Sequence, residues 1–360
     1  MSILDDISRI IEIDKSDVYE SICSFPRQCR HAYSEVSQDP QFKRVEGVKN
    51  IVMSGMGGSG LAARVIKPLY KDKLKVPVDL VNSYSLPGFT GKDTLVIVSS
   101  YSGNTEETLN TFQEALDKGV RIMAICAGGR LYSLCQKHNI PVYKIDPVYN
   151  PCGQPRMAVG YSIFGQLAML AKAGFIELDG IDVESLVGYL ENEQKVYIRE
   201  VPLASNKAKQ IANEFFQRIP VLIGAEHISG ALHVTKNQIN ENAKTFALLF
   251  LMPELNHHLM EGLRFPEADK KVLKFLFYNS GLYSERTSRR FALTEDVVSK
   301  NGIGTVTQKL QAGSEFLQVF EAVQFGAFWQ YYLTMLYGID PAPIPWVDYF
   351  KAKLDSGGKD

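Results

Sequence analysis

Short apolar runs, each followed by a glycine- or serine-rich turn and a segment with helical spacing, recur along the first half of the chain. These runs predict strands at 50–54, 76–81, 94–99, 121–127 and 141–144. A helix is predicted over 162–173. Strands that alternate with helices indicate a parallel sheet that is covered on both faces.

The same alternation returns in the second half of the chain. It predicts strands at 219–224, 247–252 and 272–278, a helix at 228–245 and a largely helical segment at 308–337. The buried face of the helix at 228–245 is expected to consist of Ile228, Leu232, Ile239 and Phe246. We therefore predict an α/β fold with two doubly wound domains, each a mostly parallel sheet flanked by helices.

The pattern also predicts where these domains begin and end. Residues 1–45 are expected to be a helical extension with one apolar face, formed by Ile7, Ile10, Ile11, Val18 and Ile22. The first domain is expected at 46–175, a charged helical connector at 176–200, and the second domain at 201–337. A C-terminal segment then follows at 338–360.

Composition narrows the possible partners and compartments. A formal net charge of −1 over 360 residues provides no broad field for nucleic acid or an acidic membrane, and neither partner is expected. Residues 1–15 are acidic and amphipathic, unlike a signal peptide, and no apolar stretch is long enough to cross a bilayer. The five cysteines and six histidines show no metal-ligand spacing, so no metal is expected. Together these features predict a cytoplasmic protein.

The run Ser99–Thr108 is rich in hydroxyl groups and lies between a predicted strand and a predicted helix. Its hydroxyls, its backbone N–H groups and the helix dipole can together bind a phosphate group, with Ser100, Ser102 and Thr105 as the candidate side chains. Because no lysine is present, a small phosphorylated metabolite is favoured over a nucleotide. The alternative is that Ser102, Asn104 and Thr105 merely cap the helix.

The turn Gly55–Gly60 contains the G-x-G-x-x-G pattern of dinucleotide-binding proteins. That fold needs an acidic residue at the end of the next strand, where this chain has Asn82. The turn is therefore weak evidence for NAD, and no organic cofactor is expected. Its glycines, Gly58 among them, still let the backbone approach a ligand closely, and Ser59 can donate to it.

Three titratable residues are candidates for chemistry. Arg156 lies after the fifth predicted strand in an irregular loop held by two prolines and a glycine, where it can stabilise an oxyanion, although the loop alone favours a surface arginine. Glu241 is either a general base or a solvated helix carboxylate paired with Lys244, and the local pattern favours the second. His257 is suited to move a proton near neutral pH.

Taken in order, several segments of this chain resemble the bifunctional phosphoglucose/phosphomannose isomerases, a family with two SIS (sugar isomerase) domains. The matching segments are 54–60, 100–108, 154–161, 240–244, 253–257 and 338–341, with Val347, Phe350, Lys351 and Leu354 near the end. The resemblance implies that Gly58 and Ser59 border the sugar. It also implies that its phosphate is bound by Ser100, Ser102 and Thr105.

The resemblance further implies the roles of four catalytic residues and a homodimer. Arg156 is expected to steady an enediolate, and Glu241 to move a proton between C1 and C2. His257 is expected to open the sugar ring from across a dimer interface, and Lys351 to lie beside the ring oxygen, reached by the returning C-terminal segment. Such a reaction needs neither a metal nor an organic cofactor.

The implied function is interconversion of glucose-6-phosphate and fructose-6-phosphate through a cis-enediol. Use of mannose-6-phosphate stays open, because a threonine tied to dual specificity in the family is absent from 340–344. Two alternatives remain: an isomerase of another sugar phosphate, such as an amino sugar, and a regulator that only binds a sugar phosphate. Binding alone would not require all four of the catalytic candidates, which favours the enzyme.

Overall fold

The first sheet is built from five strands in the part of the chain that the computed structural model describes, residues 2–355. They are β1 Asn50–Gly55, β2 Val78–Val81, β3 Thr94–Ser99, β4 Arg121–Cys126 and β5 Val142–Lys144. The strands are parallel and lie in the order β2-β1-β3-β4-β5. Gly55 pairs with Ser99, so the two candidate turns leave the sheet side by side.

Both faces of this sheet are buried. Along β3, Leu95 and Ile97 belong to one core, whereas Val96 and Val98 belong to a second core on the opposite face. The helices of this half are α1 Ile7–Ile13, α2 Val18–Cys23, α3 Phe25–Gln38, α4 Leu61–Leu69, α5 Glu106–Asp117, α6 Gly129–His138, α7 Val159–Ala173 and α8 Gly180–Glu193. The strands therefore have continuous apolar runs because both faces of the sheet are buried, as predicted.

The N-terminal helices pack against the first sheet's helical layer. Gln28 on α3 is buried; its amide nitrogen donates to the carbonyl of Met157 over 3.0 Å, and its amide oxygen accepts from the N–H of Gly160. These bonds fix the backbone immediately after Arg156. Ile11, predicted to be buried, is 53% exposed, because α1 ends at Ile13 and the apolar face does not continue into α2.

The second sheet contains four strands within residues 2–355, again all parallel, in the order β7-β6-β8-β9. They are β6 Ile219–Ala225, β7 Leu248–Met252, β8 Leu273–Asn279 and β9 Gly304–Lys309. The accompanying helices are α9 Lys207–Phe215, α10 Ser229–Glu241, α11 Asp269–Val272, α12 Glu285–Lys300, α13 Glu315–Tyr337 and α14 Pro345–Asp355. The predicted α/β fold with two mostly parallel, helix-flanked sheets is thus confirmed.

The segment 308–337 is largely helical, as predicted, but its first residues are not. Gln308 belongs to the edge strand β9, and the helix begins at Glu315. The β-branched residues Thr305, Val306 and Thr307 favour a strand there, but as a half-buried polar edge strand they lack the apolar run used to recognise the others.

The helix predicted over 228–245 ends earlier, at Glu241, and Phe246 is 65% exposed instead of buried. The chain turns at Lys244, whose φ of +51° lies in the left-handed region, so the helical face is not continued to Phe246. Residues 356–360 of the predicted C-terminal segment lie outside the described residues.

The two halves meet where α4 packs against α10. A Cβ on Gly230 would lie 2.2 Å from the carbonyl oxygen of Arg64, so this contact requires glycine. The close approach brings α10, with Glu241 at its last turn, onto the first domain. None of the helices within 2–355 is long and apolar enough to cross a membrane.

Candidate active site

The glycine turn after β1 approaches two neighbouring loops closely. A Cβ on Gly55 would lie 3.0 Å from the carbonyl oxygens of Ser59 and Ser99, and one on Gly58 would lie 3.2 Å from the backbone nitrogen of Arg156. Asn82, where a dinucleotide fold would need an acid, donates to the carbonyl of Gly55 instead. The turn therefore brings together the candidate phosphate loop and the Arg156 loop, and Asn82 stands where a dinucleotide site would have its ribose-binding carboxylate.

The hydroxyls of the candidate phosphate loop face one another at the start of α5. The Ser100 hydroxyl donates to Thr105 Oγ1 over 2.9 Å and accepts from the N–H of Gly103 over 3.1 Å. The hydroxyl of Thr105 makes no capping bond to α5, although Thr105 is the N-cap residue. The Ser102 side chain is exposed and accepts from the N–H of Asn104 over 3.2 Å. The hydroxyls of Ser102 and Thr105 therefore do not cap α5, which was the alternative to a phosphate-binding role.

Ser59 connects the two turns. Its hydroxyl oxygen accepts from the N–H of Tyr101 over 2.8 Å. Gly58, Ser59 and Tyr101 line a small cavity together with Pro155 from the arginine loop. The residues predicted to border a sugar and to bind its phosphate are therefore adjacent at the carboxyl edge of the first sheet.

Arg156 is buried, with 1% of its surface exposed, so the local expectation of a surface arginine is wrong. Its Nε donates to Asn242 Oδ1, and its Nη1 donates to Gln154 Oε1 over 2.8 Å. Its Nη2 donates to the carbonyls of Pro341 and Ala342 over 2.9 and 2.6 Å. Burial lowers the pKa of this guanidinium, and the nearby Glu241 carboxylate opposes that shift.

Glu241 faces this arginine from the last turn of α10. Its Oε2 lies 3.7 Å from Arg156 Nη1. Burial raises the pKa of Glu241 above its ordinary value of 4.5, and the charges of Arg156, Lys244 and Lys351 partly offset that rise. A carboxylate with a raised pKa beside a fixed cation is the combination that proton abstraction next to a carbonyl group requires.

The local alternative for Glu241, an ion pair with Lys244, is not what the side chains do. Lys244 Nζ donates to the backbone carbonyl of Glu241 over 2.6 Å and to that of Pro341 over 3.0 Å. Burial, followed by the charge of Arg156, lowers the pKa of Lys244 to about 8. Lys244 thus anchors the C-terminal segment and leaves the Glu241 carboxylate for Arg156.

The remaining two candidates have different positions. Lys351 lies on the exposed helix α14, and its charge is close enough to lower the pKa of Glu241. His257 is exposed at the end of a short 3-10 helix that follows β7. Among residues 2–355, His257 makes no hydrogen bond or ion pair with Glu241 or Arg156. The fold brings Lys351 towards the site and leaves His257 on the surface of its own chain.

Family models and a curated relative match this chain over most of its length. Residues 46–140 match the SIS domain, and residues 204–354 match the bacterial phospho-glucose isomerase C-terminal SIS domain. The chain is 33% identical over 343 residues to the bifunctional phosphoglucose/phosphomannose isomerase of Caldicellulosiruptor bescii, covering 94% of this chain and 98% of that relative. The chain belongs to the bifunctional phosphoglucose/phosphomannose isomerase family. The predicted resemblance and the two SIS domains are confirmed.

More distant matches show the breadth of proteins that share this architecture. The D-glucosamine-6-phosphate 4-epimerase of Sulfolobus acidocaldarius is 29% identical over 233 residues, which cover 64% of this chain and 70% of that relative. A hypothetical protein from Thermus thermophilus has a TM-score of 0.72 at 14% identity, covering 94% of this chain and 90% of that one. At that identity the second match concerns the fold alone.

Sequence reasoning missed the groups that hold the arginine of this family member. Asn242 is completely buried and accepts from Arg156 Nε, while Gln238 donates to the backbone carbonyl of Arg156 over 3.0 Å. Both side chains lie on or directly after α10, within the polar run that also contains Glu241. The available signal was the amide of Asn242 next to Glu241, but its partner Arg156 lies 86 residues earlier in the chain.

Proposed function

We propose that this chain is an aldose–ketose isomerase that interconverts glucose-6-phosphate and fructose-6-phosphate, and also uses mannose-6-phosphate, through a cis-enediol. The observation that supports this proposal most directly is that, within residues 2–355, Arg156 has one N–H group left to donate, next to Glu241. Four of its five N–H groups are directed to Asn242, Gln154 and two backbone carbonyls within the described chain. The remaining one is on Nη1, on the side of Glu241, which lies 3.7 Å from that nitrogen.

The phosphate group of the substrate binds in the cradle of Ser100, Ser102 and Thr105. Hydroxyl groups and the N-terminus of α5 suit a dianion at this position, and the side chain of Ser102 is exposed to it. Gly58 and Ser59 connect this cradle to the arginine loop, because Ser59 accepts from the N–H of Tyr101 and Gly58 closely approaches the backbone of Arg156. The phosphate thereby places the carbonyl end of the open sugar beside Glu241.

In the chemical step the Glu241 carboxylate removes the proton from the carbon next to the carbonyl group. It then returns that proton to the neighbouring carbon, while the hydroxyl proton passes from one oxygen of the enediol to the other. One carboxyl group thus acts first as base and then as acid. The open N–H of Arg156 donates to the oxygen on which negative charge develops. Because Arg156 is held by four acceptors, it does not have to reorganise as that charge appears.

The proposal is tested with purified protein and fructose-6-phosphate, following glucose-6-phosphate and mannose-6-phosphate as separate products. Formation of both is expected, and their ratio measures the preference between the two epimers. Glucosamine-6-phosphate is included as a substrate because one relative acts on that sugar phosphate. Saturable binding of fructose-6-phosphate without either product would favour a regulator.

Ser102→Ala is expected to raise KM for fructose-6-phosphate about tenfold or more with a smaller effect on kcat, since a hydrogen bond to a charged group is lost. Steady-state kinetics measure both constants. Ser185→Ala, an exposed serine on α8, is the matched control and should leave KM unchanged. An unaltered KM in Ser102→Ala would mean that this serine serves only its local hydrogen bond with the N–H of Asn104.

We further propose that the active unit is a homodimer in which His257 of one chain opens the sugar ring in the site of the other. His257 is exposed in its own chain and lies beyond the edge strand β7. Helix α14 carries exposed Trp346, Tyr349 and Phe350, and Trp346 is 82% exposed. An apolar helix of this kind next to the site is typical of a surface covered by a second chain.

Mixing two inactive variants tests this arrangement. Glu241→Gln and His257→Ala chains, denatured and refolded together in equal amounts, should recover about a quarter of the wild-type activity, because half of the random dimers contain one intact site. Each variant refolded alone provides the control. No recovery in proven mixed dimers would mean that His257 acts in its own chain or not at all.

We also place the protein in the cytoplasm. Its cysteines are unpaired within residues 2–355, and four of them are buried. Free, buried thiols are usual in a reducing compartment.

A further inference from the structure

The same turn follows β1 in the first domain and β6 in the second. After β1, Gly57, with φ of +50°, is the first residue of a short 3-10 helix that leads into α4. After β6, Glu226, with φ of +49°, is the first residue of a short 3-10 helix that leads into α10. Gly57 and Glu226 therefore occupy equivalent positions. A left-handed backbone is ordinary for glycine and unfavourable for glutamate. Contacts made by the glutamate side chain must therefore offset the free-energy cost of this backbone conformation.

That side chain reaches the second domain's counterpart of the phosphate loop. β8 is equivalent to β3, and the helices that follow them, α12 and α5, begin after the N-cap residues Ser284 and Thr105. The Thr287 hydroxyl donates to Glu226 Oε1 over 2.6 Å. The hydroxyl and N–H of Ser284 lie 3.1 and 3.4 Å from the same oxygen. A carboxylate is thus bound where the first domain has its candidate phosphate cradle.

The first domain has space where the second has this side chain. A Cβ on Gly57 would meet no atom within 4 Å. Thr108 lies three residues after its N-cap, as Thr287 does, and its buried hydroxyl has no hydrogen-bond partner among the described residues. Thr108 is thus the equivalent of Thr287, but within residues 2–355 the first domain has no carboxylate to accept its hydroxyl hydrogen bond.

We propose that the Glu226 carboxylate is a built-in anion that closes the ligand position of the second domain, so that each chain binds one sugar phosphate. The assignment of that one ligand to the first domain rests on the proposed function. The closure of the second domain rests on the contacts of Glu226 alone.

Glu226→Gly tests the closure, because glycine adopts the same backbone conformation and empties the cradle. Equilibrium dialysis with labelled inorganic phosphate should show one more phosphate bound per chain than in the wild type. Glu226→Gln, which keeps the side-chain volume, should bind no additional phosphate, and adding Thr287→Val to Glu226→Gly should remove the gain. Isomerase activity of the Glu226 variants is expected to stay within twofold of the wild type.

The test measures the difference in bound phosphate between the variant and the wild type. That difference does not depend on where the wild type binds its sugar phosphate, so this proposal can fail or hold independently of the proposed function. Glu226→Asn, which also tolerates a left-handed backbone, replaces Glu226→Gly if that variant does not fold. An unchanged phosphate count in a folded variant of either kind would overturn the proposal, as would a gain that survives Thr287→Val.

The reciprocal change supplies an independent measurement. Gly57→Glu should place a carboxylate against the first domain's cradle and lower kcat/KM by at least a hundredfold in a folded protein. The Gly57→Ala variant has the same backbone strain without the carboxylate and should retain most activity. Equal activities in Gly57→Glu and Gly57→Ala would show that the two turns are not equivalent in function.

Discussion

Glu241→Gln is expected to lower kcat by at least 10²-fold and up to about 10⁴-fold, the usual contribution of a positioned general base. The amide keeps the size of the side chain and cannot accept the substrate proton. Conversion of fructose-6-phosphate measures the loss. Glu261→Gln, an exposed glutamate in the same domain, is the matched control and should behave as the wild type. Turnover near the wild-type rate in Glu241→Gln would remove this residue from the mechanism.

The same variant should fold normally. Burial raises the pKa of Glu241 in spite of the nearby cations, so the folded protein binds its proton more tightly than the unfolded chain does. The contribution of such a carboxyl to stability is present below its ordinary pKa of 4.5 and is lost as the pH rises through its raised value. A neutral amide avoids that loss, so the melting temperature at pH 7 should not fall below that of the wild type.

The pH profile gives a second readout of Glu241. Since the deprotonated carboxylate is the base, kcat/KM should rise with pH and level off above the pKa of this group in the free enzyme. Its acid limb is expected above pH 4.5, because burial raises the pKa from that value. An acid limb at or below 4.5, or one retained in the residual activity of Glu241→Gln, would point to a different base.

Arg156→Lys is expected to lower kcat by about 10²–10³-fold and to destabilise the protein by about 3–5 kcal/mol. Lysine has three N–H groups on one atom and cannot reach Asn242, Gln154 and the carbonyls of Pro341 and Ala342 together. Several buried acceptors then lose their donor. Kinetics and chemical denaturation measure the two effects.

A conservative exchange at an exposed arginine provides the comparison for Arg156. Arg130→Lys, at the start of α6 beside the candidate phosphate loop, should change neither kcat nor stability appreciably. The loss of kcat in Arg156→Lys should persist under conditions in which that variant is shown to be fully folded. Wild-type kcat in folded Arg156→Lys would mean that the guanidinium acts as a structural clasp between the first domain and the C-terminal segment.

Much of the first domain could be predicted because its signals are local. The strands around β1 and β3 are buried on both faces, so they appear as apolar runs, and the turns after them need glycine and hydroxyl residues for reasons that act within a few residues. Strand β9 gave no such signal, since an edge strand that is half-buried can be polar. The end of α10 was misplaced because a left-handed Lys244 is not marked by glycine.

The order of residues along the chain was sufficient to predict two parallel α/β domains and a candidate phosphate loop beside the glycine turn. Glu241 was named as a base through the resemblance to the isomerase family, because its local pattern favoured a solvated carboxylate. The tertiary structure alone decided that Arg156 is buried: its loop resembles a surface loop, and its acceptors at Pro341 and Ala342 lie 185 and 186 residues away. It also decided that Glu241 faces that arginine and not Lys244. Local periodicity reports which face of an element is buried, whereas a charged contact between distant segments depends on how those elements pack, and no local pattern records it.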